Sequence, residues 1–307
     1  MKDFLVAGYG SVSQGDISFE EQSFIEFVWQ EGEARWRDLP WRNIDDPYTV
    51  LVSEIMLQQT QVSRVTKYWD RFLRVFPTLD SLAAGDTALV LELWQGLGYN
   101  RRALALKQTA EICAHQYGGE LPCEYDRLLA LPGIGKATAA GVLCFAHNVP
   151  ALYLETNVRT VFLYHFFPDE DKVSDKSLEP LVAKTTSLSN PRGWYYALLD
   201  YGAHLKTSVG NPSRRSKHHT KQSQFEGSRR QKRAEIIRML LANPGMSFDE
   251  IKRGLDLFES TRGRDQLSEN DLGSILKRLE KEGFLQAKVK EDALSEENKN
   301  IRYFISK

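Results

Sequence analysis

From Phe19 to about residue 205 the apolar residues recur at helical spacing, and the breaks between periodic stretches are only a few residues long. Many helices of ordinary length on short loops specify an all-α domain. The stretches are Glu20–Trp36, Pro47–Gln59, Gln61–Val75, Thr87–Gln95, Arg101–Tyr117 and Lys136–Ala146, then 155–166, 177–188 and 193–205. Several ends are marked chemically. Asp46 can cap a helix that Pro47 starts, Thr60 is placed to cap the next, and Asp86 the one at Thr87. Gly96-Leu97-Gly98 and Gly118-Gly119 close two others. Trp69 and Trp94 read as core. Residues 1–18 are weakly patterned and read as an N-terminal extension.

Composition changes after residue 205. Residues 206–233 hold Lys206, Arg214, Arg215, Lys217, Lys221, Arg229, Arg230, Lys232 and Arg233 against the single acid Glu226. This reads as a basic linker, either able to lie on phosphates or simply a solvated tether. His218 and His219 lie in it with no Cys or Asp nearby and read as loop residues rather than metal ligands. Residues 234–307 read as a small winged-helix-like α+β domain. Ile236, Ile237, Leu240 and Leu241 make one apolar face, and Ser247 with Glu250 forms a capping box. Ser268 starts a third helix through Leu272, Ile275, Leu276 and Leu279 that ends at Gly283. Two strand-like runs, Phe284–Val289 and Ile301–Ile305, follow around a polar tip.

The three cysteines, Cys113, Cys123 and Cys144, form no CxxC pair. They exclude a disulfide framework and a four-cysteine metal or iron–sulfur site within the chain. No apolar run approaches the length of a membrane span and no signal-peptide pattern opens the chain, so the expectation is a cytoplasmic protein without a membrane partner. A net charge of −1 decides nothing about nucleic acid.

Glu54 is the residue out of place. It lies between Val50-Leu51-Val52 and Ile55-Met56-Leu57, where a carboxylate is costly unless it has a partner or a task. About a hundred residues on, Leu131-Pro132-Gly133-Ile134-Gly135-Lys136-Ala137-Thr138 joins two helices by a glycine turn. Such a turn can aim backbone N–H groups of a helix N-terminus at a phosphate. Glu155 follows, near Asn157 and a helix start. Cleavage of a purine N-glycosidic bond needs an acid to protonate the base and a carboxylate to stabilise the oxocarbenium-like sugar. Glu54, with a pKa raised by apolar surroundings, suits the acid, and Glu155 suits the second role.

Leu39-Pro40-Trp41-Arg42, the run Ser53–Val62, Trp94-Gln95-Gly96-Leu97-Gly98-Tyr99 and the glycine turn together resemble the MutY-type adenine DNA glycosylases. These belong to the helix-hairpin-helix superfamily, and the likeness covers about residues 20–205. The resemblance implies a two-lobed all-α glycosylase domain over 19–205 acting on double-stranded DNA with a lesion or mismatch. It implies that Glu54 protonates adenine and that Glu155 takes the place of the catalytic aspartate. Gln59 and Tyr99 fall on residues that wedge into the duplex, with Gln58 beside them on the DNA side. Gly133, Gly135, Lys136 and Thr138 fall on the phosphate-holding hairpin, and Ala137 and Asn157 on the base pocket. Base extrusion is required, because the glycosidic carbon is unreachable in a stacked duplex.

The departures shape the expectation. Glu155 is one methylene longer than Asp. Ala137 stands where lyase-competent relatives carry Lys, so no lyase activity is expected. The cluster-binding cysteines are missing, so no cofactor is expected, and a monovalent cation at the hairpin is the one ion left open. The 8-oxoguanine-reading domain is not visible. The reading is a monofunctional, monomeric glycosylase for a purine, adenine or hypoxanthine. A uracil/thymine mismatch glycosylase is the alternative, and a non-catalytic binder of distorted DNA is the alternative of another class.

Overall fold

The computed structural model describes residues 3–13, 17–221, 223–289 and 301–306. Along the chain run β1 (Asp3–Val6), β2 (Gly10–Ser13), α1 (Phe19–Ala34), α2 (Pro47–Leu57), α3 (Val62–Val75), α4 (Leu79–Ala84), α5 (Thr87–Trp94) and α6 (Arg101–Gln116). Then come α7 (Tyr125–Leu129), α8 (Lys136–Ala146), α9 (Thr156–Phe166), α10 (Asp175–Thr185) and α11 (Pro191–Ser208). The chain goes on with α12 (Arg229–Ala242), β3 (Met246–Ser247), α13 (Phe248–Ser260), α14 (Glu269–Lys281), β4 (Leu285–Val289) and β5 (Ile301–Ile305). The protein is mainly helical, with small antiparallel sheets. Among the described residues no helix is long and apolar enough to cross a membrane.

Two compact units form, and each draws on two stretches of chain: Met1–Trp69 with Ile112–Lys221, and Asp70–Glu111 with Gln222–Lys307. They divide the chain differently from the segments 19–205 and 234–307 read from composition. The reason is tertiary, since the helices near residue 90 pack on a partner far along the chain.

In the first unit α11 packs on α9 and α1, and α2 packs on α8. Helix α8 buries every residue from Thr138 to Ala146, as befits a helix apolar nearly all round. Residues 3–13, within the weakly patterned N-terminal extension, form a hairpin turning at Gly8 (φ +78°). Ala7 donates to Pro150 O (3.0 Å) and accepts from Leu152 N (2.9 Å), and Val6 is fully buried. Local patterning missed this because the partner lies far away in sequence. Helix α3 opens after Gln61, whose carbonyl accepts from Val65 N at 3.1 Å.

The stretch 206–233 is less of a tether than its composition suggests. Its first residues finish α11, Pro212–Arg215 make a 3₁₀ turn, and Ser216 bridges to Val173. Arg215 donates to the carbonyls of Leu163 (2.9 Å), Phe167 (2.7 Å) and Pro168, closing the end of α9. Helix α12 already begins at Arg229, capped by Ser228.

In the second unit α12 packs on α13 and on α5, and β3-β5-β4 form an antiparallel sheet in that order. Ser247 and Glu250 make their capping box (2.7 and 3.2 Å). Leu272, Ile275, Leu276 and Leu279 of α14 are buried. The polar tip expected between the last strands, 290–300, lies outside the described residues.

Candidate active site

Helix α2 sets Glu54 in place. Asp46 accepts from Tyr48 N (3.3 Å) and Thr49 N (3.0 Å), and Pro47 opens the first turn. Val50, Leu51, Val52, Ile55 and Met56 go into the core around it. Glu54 itself lines a cavity of about 140 Å³ in the first unit. Glu155, Asn157, Tyr153, Phe145, Tyr196 and Arg42 are among the other residues that line it. Burial, reinforced by the negative charge of Glu155 and opposed by a hydrogen bond with Tyr153, pushes Glu54 up to about 8. Burial and the same two carboxylates hold the Tyr153 hydroxyl well above its ordinary range, so it stays a donor.

Space for the carboxyl comes from Gly141 on α8. A Cβ there would stand 2.4 Å from Glu54 Oε2 and 3.0 Å from Tyr153 Cε2. A glycine inside an apolar helix costs about 1 kcal/mol relative to alanine, so its presence marks a close approach. That was the one available signal for this residue.

Glu155 is the N-cap of α9, and its Oε1 accepts from Asn157 N and Val158 N (3.1 Å). Oε2 takes no part in the cap. Asn157 Oδ1 accepts from Lys206 Nζ at 2.7 Å. Burial lowers the Lys206 amine, Arg37 adds to this, and Glu155 opposes it. Behind the cavity, buried Asp200 receives both guanidinium nitrogens of Arg42 (2.7 and 2.6 Å) and Nε of Arg37 (2.5 Å). The Arg42 guanidinium also lies over the rings of Trp36 (4.6 Å) and Tyr196 (4.5 Å). Sequence reading missed Tyr153, Lys206 and the pair Arg42–Asp200. Each lies on an element remote in sequence from its partner, except that Tyr153 sits two residues before Glu155.

The glycine turn links α7 to α8. Gly133 takes φ +74°, and Gly135 is the N-cap of α8 with no side-chain hydrogen bond at the cap. A Cβ on Gly135 would meet nothing within 4 Å, so this end of α8, where Lys136 begins the helix, is open. Ala137 and Thr138 follow, with Thr138 buried. Gln58 turns toward the hairpin, its Nε2 donating to Thr138 Oγ1 (3.1 Å) and Gly133 O (3.5 Å). Gln59, next in the chain, is exposed and left-handed (φ +57°).

Tyr99 belongs to the second unit. It is also left-handed (φ +49°) and 37% exposed, at the end of a turn containing Gly96 (φ +96°) and Gly98 (φ +76°). Trp94 Nε1 (3.2 Å) and Arg102 Nη2 (2.9 Å) both donate to Gly98 O and pin that turn. Such backbone on non-glycine residues costs about 1 kcal/mol or more and tends to mark functional positions.

Residues 52–184 match the family model for HhH-GPD superfamily base excision DNA repair proteins. The matched stretch makes up less than half of the chain. It contains Glu54, the glycine turn and Glu155. The chain is 38% identical over 174 residues to an adenine DNA glycosylase of Mycolicibacterium smegmatis, covering 56% of this chain and 59% of that protein. It is 36% identical over 168 residues to an adenine DNA glycosylase of Buchnera aphidicola, covering 54% and 48%. The chain thus spans about half to three-fifths of the length of these relatives. Among solved structures, a thermostable thymine-DNA glycosylase matches with a TM-score of 0.54 at 26% identity, over 60% of this chain and 86% of that one. The turn at Gly133–Gly135 and the helices α7 and α8 on either side of it all lie inside the matched residues.

Proposed function

We propose that this protein is a monofunctional DNA N-glycosylase that removes a purine, adenine first, from double-stranded DNA. The observation that carries the reading is that Glu54 and Glu155 line one cavity, where burial pushes Glu54 up to about 8. At neutral pH Glu54 is therefore a ready acid and Glu155 supplies the negative charge. Once the base is extruded, Glu54 donates its proton to a ring nitrogen, the glycosidic bond lengthens, and electron density passes to the base. Glu155 Oε2 stabilises the positive sugar, and water attacks the anomeric carbon, its released proton returning to the Glu54 carboxylate left by the first transfer. Tyr153 orients the Glu54 carboxyl, while Lys206 fixes the Asn157 amide by its oxygen and leaves Nδ2 for the substrate side.

No lysine is among the described residues that line the cavity, which supports hydrolysis without a Schiff base. The capless start of α8 offers N–H groups to a phosphate, and Gln59 and Tyr99 serve as wedges. Helices α12–α14 with the β3-β5-β4 sheet we read as a winged helix. The relatives named as adenine glycosylases favour adenine, and the likeness to a thymine-DNA glycosylase keeps a mismatched pyrimidine as the second reading.

The test is strand scission of labelled duplexes holding adenine opposite 8-oxoguanine or guanine, hypoxanthine opposite thymine, or uracil or thymine opposite guanine. Cleavage in the adenine lanes, seen only after alkali, is the expected result. A pyrimidine lane alone would install the second reading, and tight binding with no cleavage anywhere would end the catalytic one.

A further inference from the structure

The second unit carries a positive face beside Tyr99 that the catalytic reading does not use. Arg230 Nη1 donates to Tyr99 Oη at 3.0 Å, and its guanidinium lies 5.7 Å from the ring centre. Its neighbour Arg229 donates to Ser274 Oγ on α14 at 2.6 Å, so the start of α12 ties Tyr99 to that helix. Along α14 exposed Asn270, Ser274, Lys277 and Lys281, with half-buried Gly273 among them, make a stripe at steps of three or four residues.

Its centre is small. A Cβ on Gly273 would meet nothing within 4 Å, and the stripe borders a shallow depression of about 820 Å³. Lys277 and Lys281 stand one turn apart, about 6 Å along the axis. Phosphates on one strand recur about every 3.4 Å of the duplex axis, so two cations this close can each meet one in the same run.

The acids nearby are already engaged. Glu282 takes Arg101, Arg233 (2.5 Å) and Arg278 (2.8 Å), three cations on one anion, and Arg101 and Arg278 stay more than 60% exposed. Glu280 accepts from Ala287 N (3.2 Å) and Asp271 from Ser268 Oγ (2.6 Å), which leaves Glu269 at the helix start.

We propose that this face, the α14 stripe with Arg229 and Arg230, binds the phosphate backbone of duplex DNA flanking the site where Tyr99 enters. The entry of Tyr99 rests on the proposed function; the binding of the backbone does not. A groove with small residues between cations fits a curved, uniformly charged rod, and excess positive charge fits its phosphates.

The test uses the full chain and a fluorescent duplex of ordinary base pairs, so that binding is read apart from any turnover. Anisotropy titrations over a range of salt give affinity and slope. Lys277→Gln with Lys281→Gln should weaken binding roughly tenfold to a hundredfold at low salt. It should also flatten the log K against log salt slope by about 2, near 0.9 for each phosphate no longer neutralised. Unchanged affinity and slope would overturn the proposal and leave the stripe as a surface for a protein. Glu54→Gln separates the two readings: it should end cleavage and leave the slope as it was.

Discussion

Gly141 and Glu54 are in such close contact that a single methyl group on the glycine would stand 2.4 Å from the carboxylate oxygen. Gly141→Ala tests what that contact does. Alanine favours a helix interior by about 1 kcal/mol, which partly offsets the clash in stability. The catalytic carboxyl has no such compensation, and misplacement by about 1 Å can cost 10²-fold in rate. The variant should melt within a few degrees of the parent yet show a single-turnover rate lower by about two orders of magnitude. A parental rate would show that the glycine is there only for packing.

The proton on Glu54 sets the pH range. Its folded value of about 8 predicts that kcat/KM holds through neutrality and falls as pH rises through about 8, tenfold per unit beyond it. A pH–rate profile of the free enzyme reads this directly. A limb falling near pH 5 instead would remove Glu54 from the acid role.

Stability should move the other way from activity in Glu54→Gln. Unfolded, Glu54 loses its proton near 4.5; folded, it holds it to about 8. The folded state thus binds more protons across that window, and stability falls as pH rises through it. At neutral pH the cost is roughly 3 kcal/mol, at about 1.4 kcal/mol per unit. Glutamine has no proton to lose, so the inactive variant should be the more stable protein at pH 7 and nearly equal at pH 4. Urea midpoints at the two pH values measure the difference.

Glu155 has two tasks that substitution can part. Glu155→Gln keeps an oxygen for the cap of α9 and removes the charge, so the rate should fall at least 10²-fold while stability changes by less than about 1 kcal/mol. Glu155→Ala loses the cap as well and should cost about 1–2 kcal/mol in addition. If both variants lost stability alike and the first kept its rate, the carboxylate would be a cap and nothing more.

Asp200 is a buried charge whose loss should be costly. Its side chain is wholly buried and holds Arg42, which is 2% exposed. Asp200→Ala leaves a buried guanidinium unpaired, which costs about 3–5 kcal/mol in comparable settings. Chemical denaturation should show that loss, and Asp200→Asn a smaller one.

Much of this was legible in the sequence because it is local. Asp46 and Pro47 announce α2, the Ser247–Glu250 box announces α13, and the apolar run around Glu54 announces a buried acid. What was not legible depends on pairing across long separations. Lys206 reads as one more cation in a basic stretch until its bond to Asn157 is seen. Arg215 likewise reads as linker charge, yet it closes a helix. Residues 3–13 are too short and glycine-broken to announce a hairpin whose partner is Ala151. Gln58 and Gln59 are identical side chains in sequence, and only the left-handed turn at Gln59 separates a hairpin brace from an exposed tip.

The second unit is made of chain segments that are synthesised at different times. At roughly 5–20 residues per second, residues 70–111 leave the ribosome on the order of 10–30 seconds before Glu282, at the end of α14, exists to meet Arg101. Until α12 follows, the side of α5 that it will cover stands open to whatever else is near. A chain cut after α11 would hold that face open permanently, and its poor yield would say nothing about the cavity at Glu54.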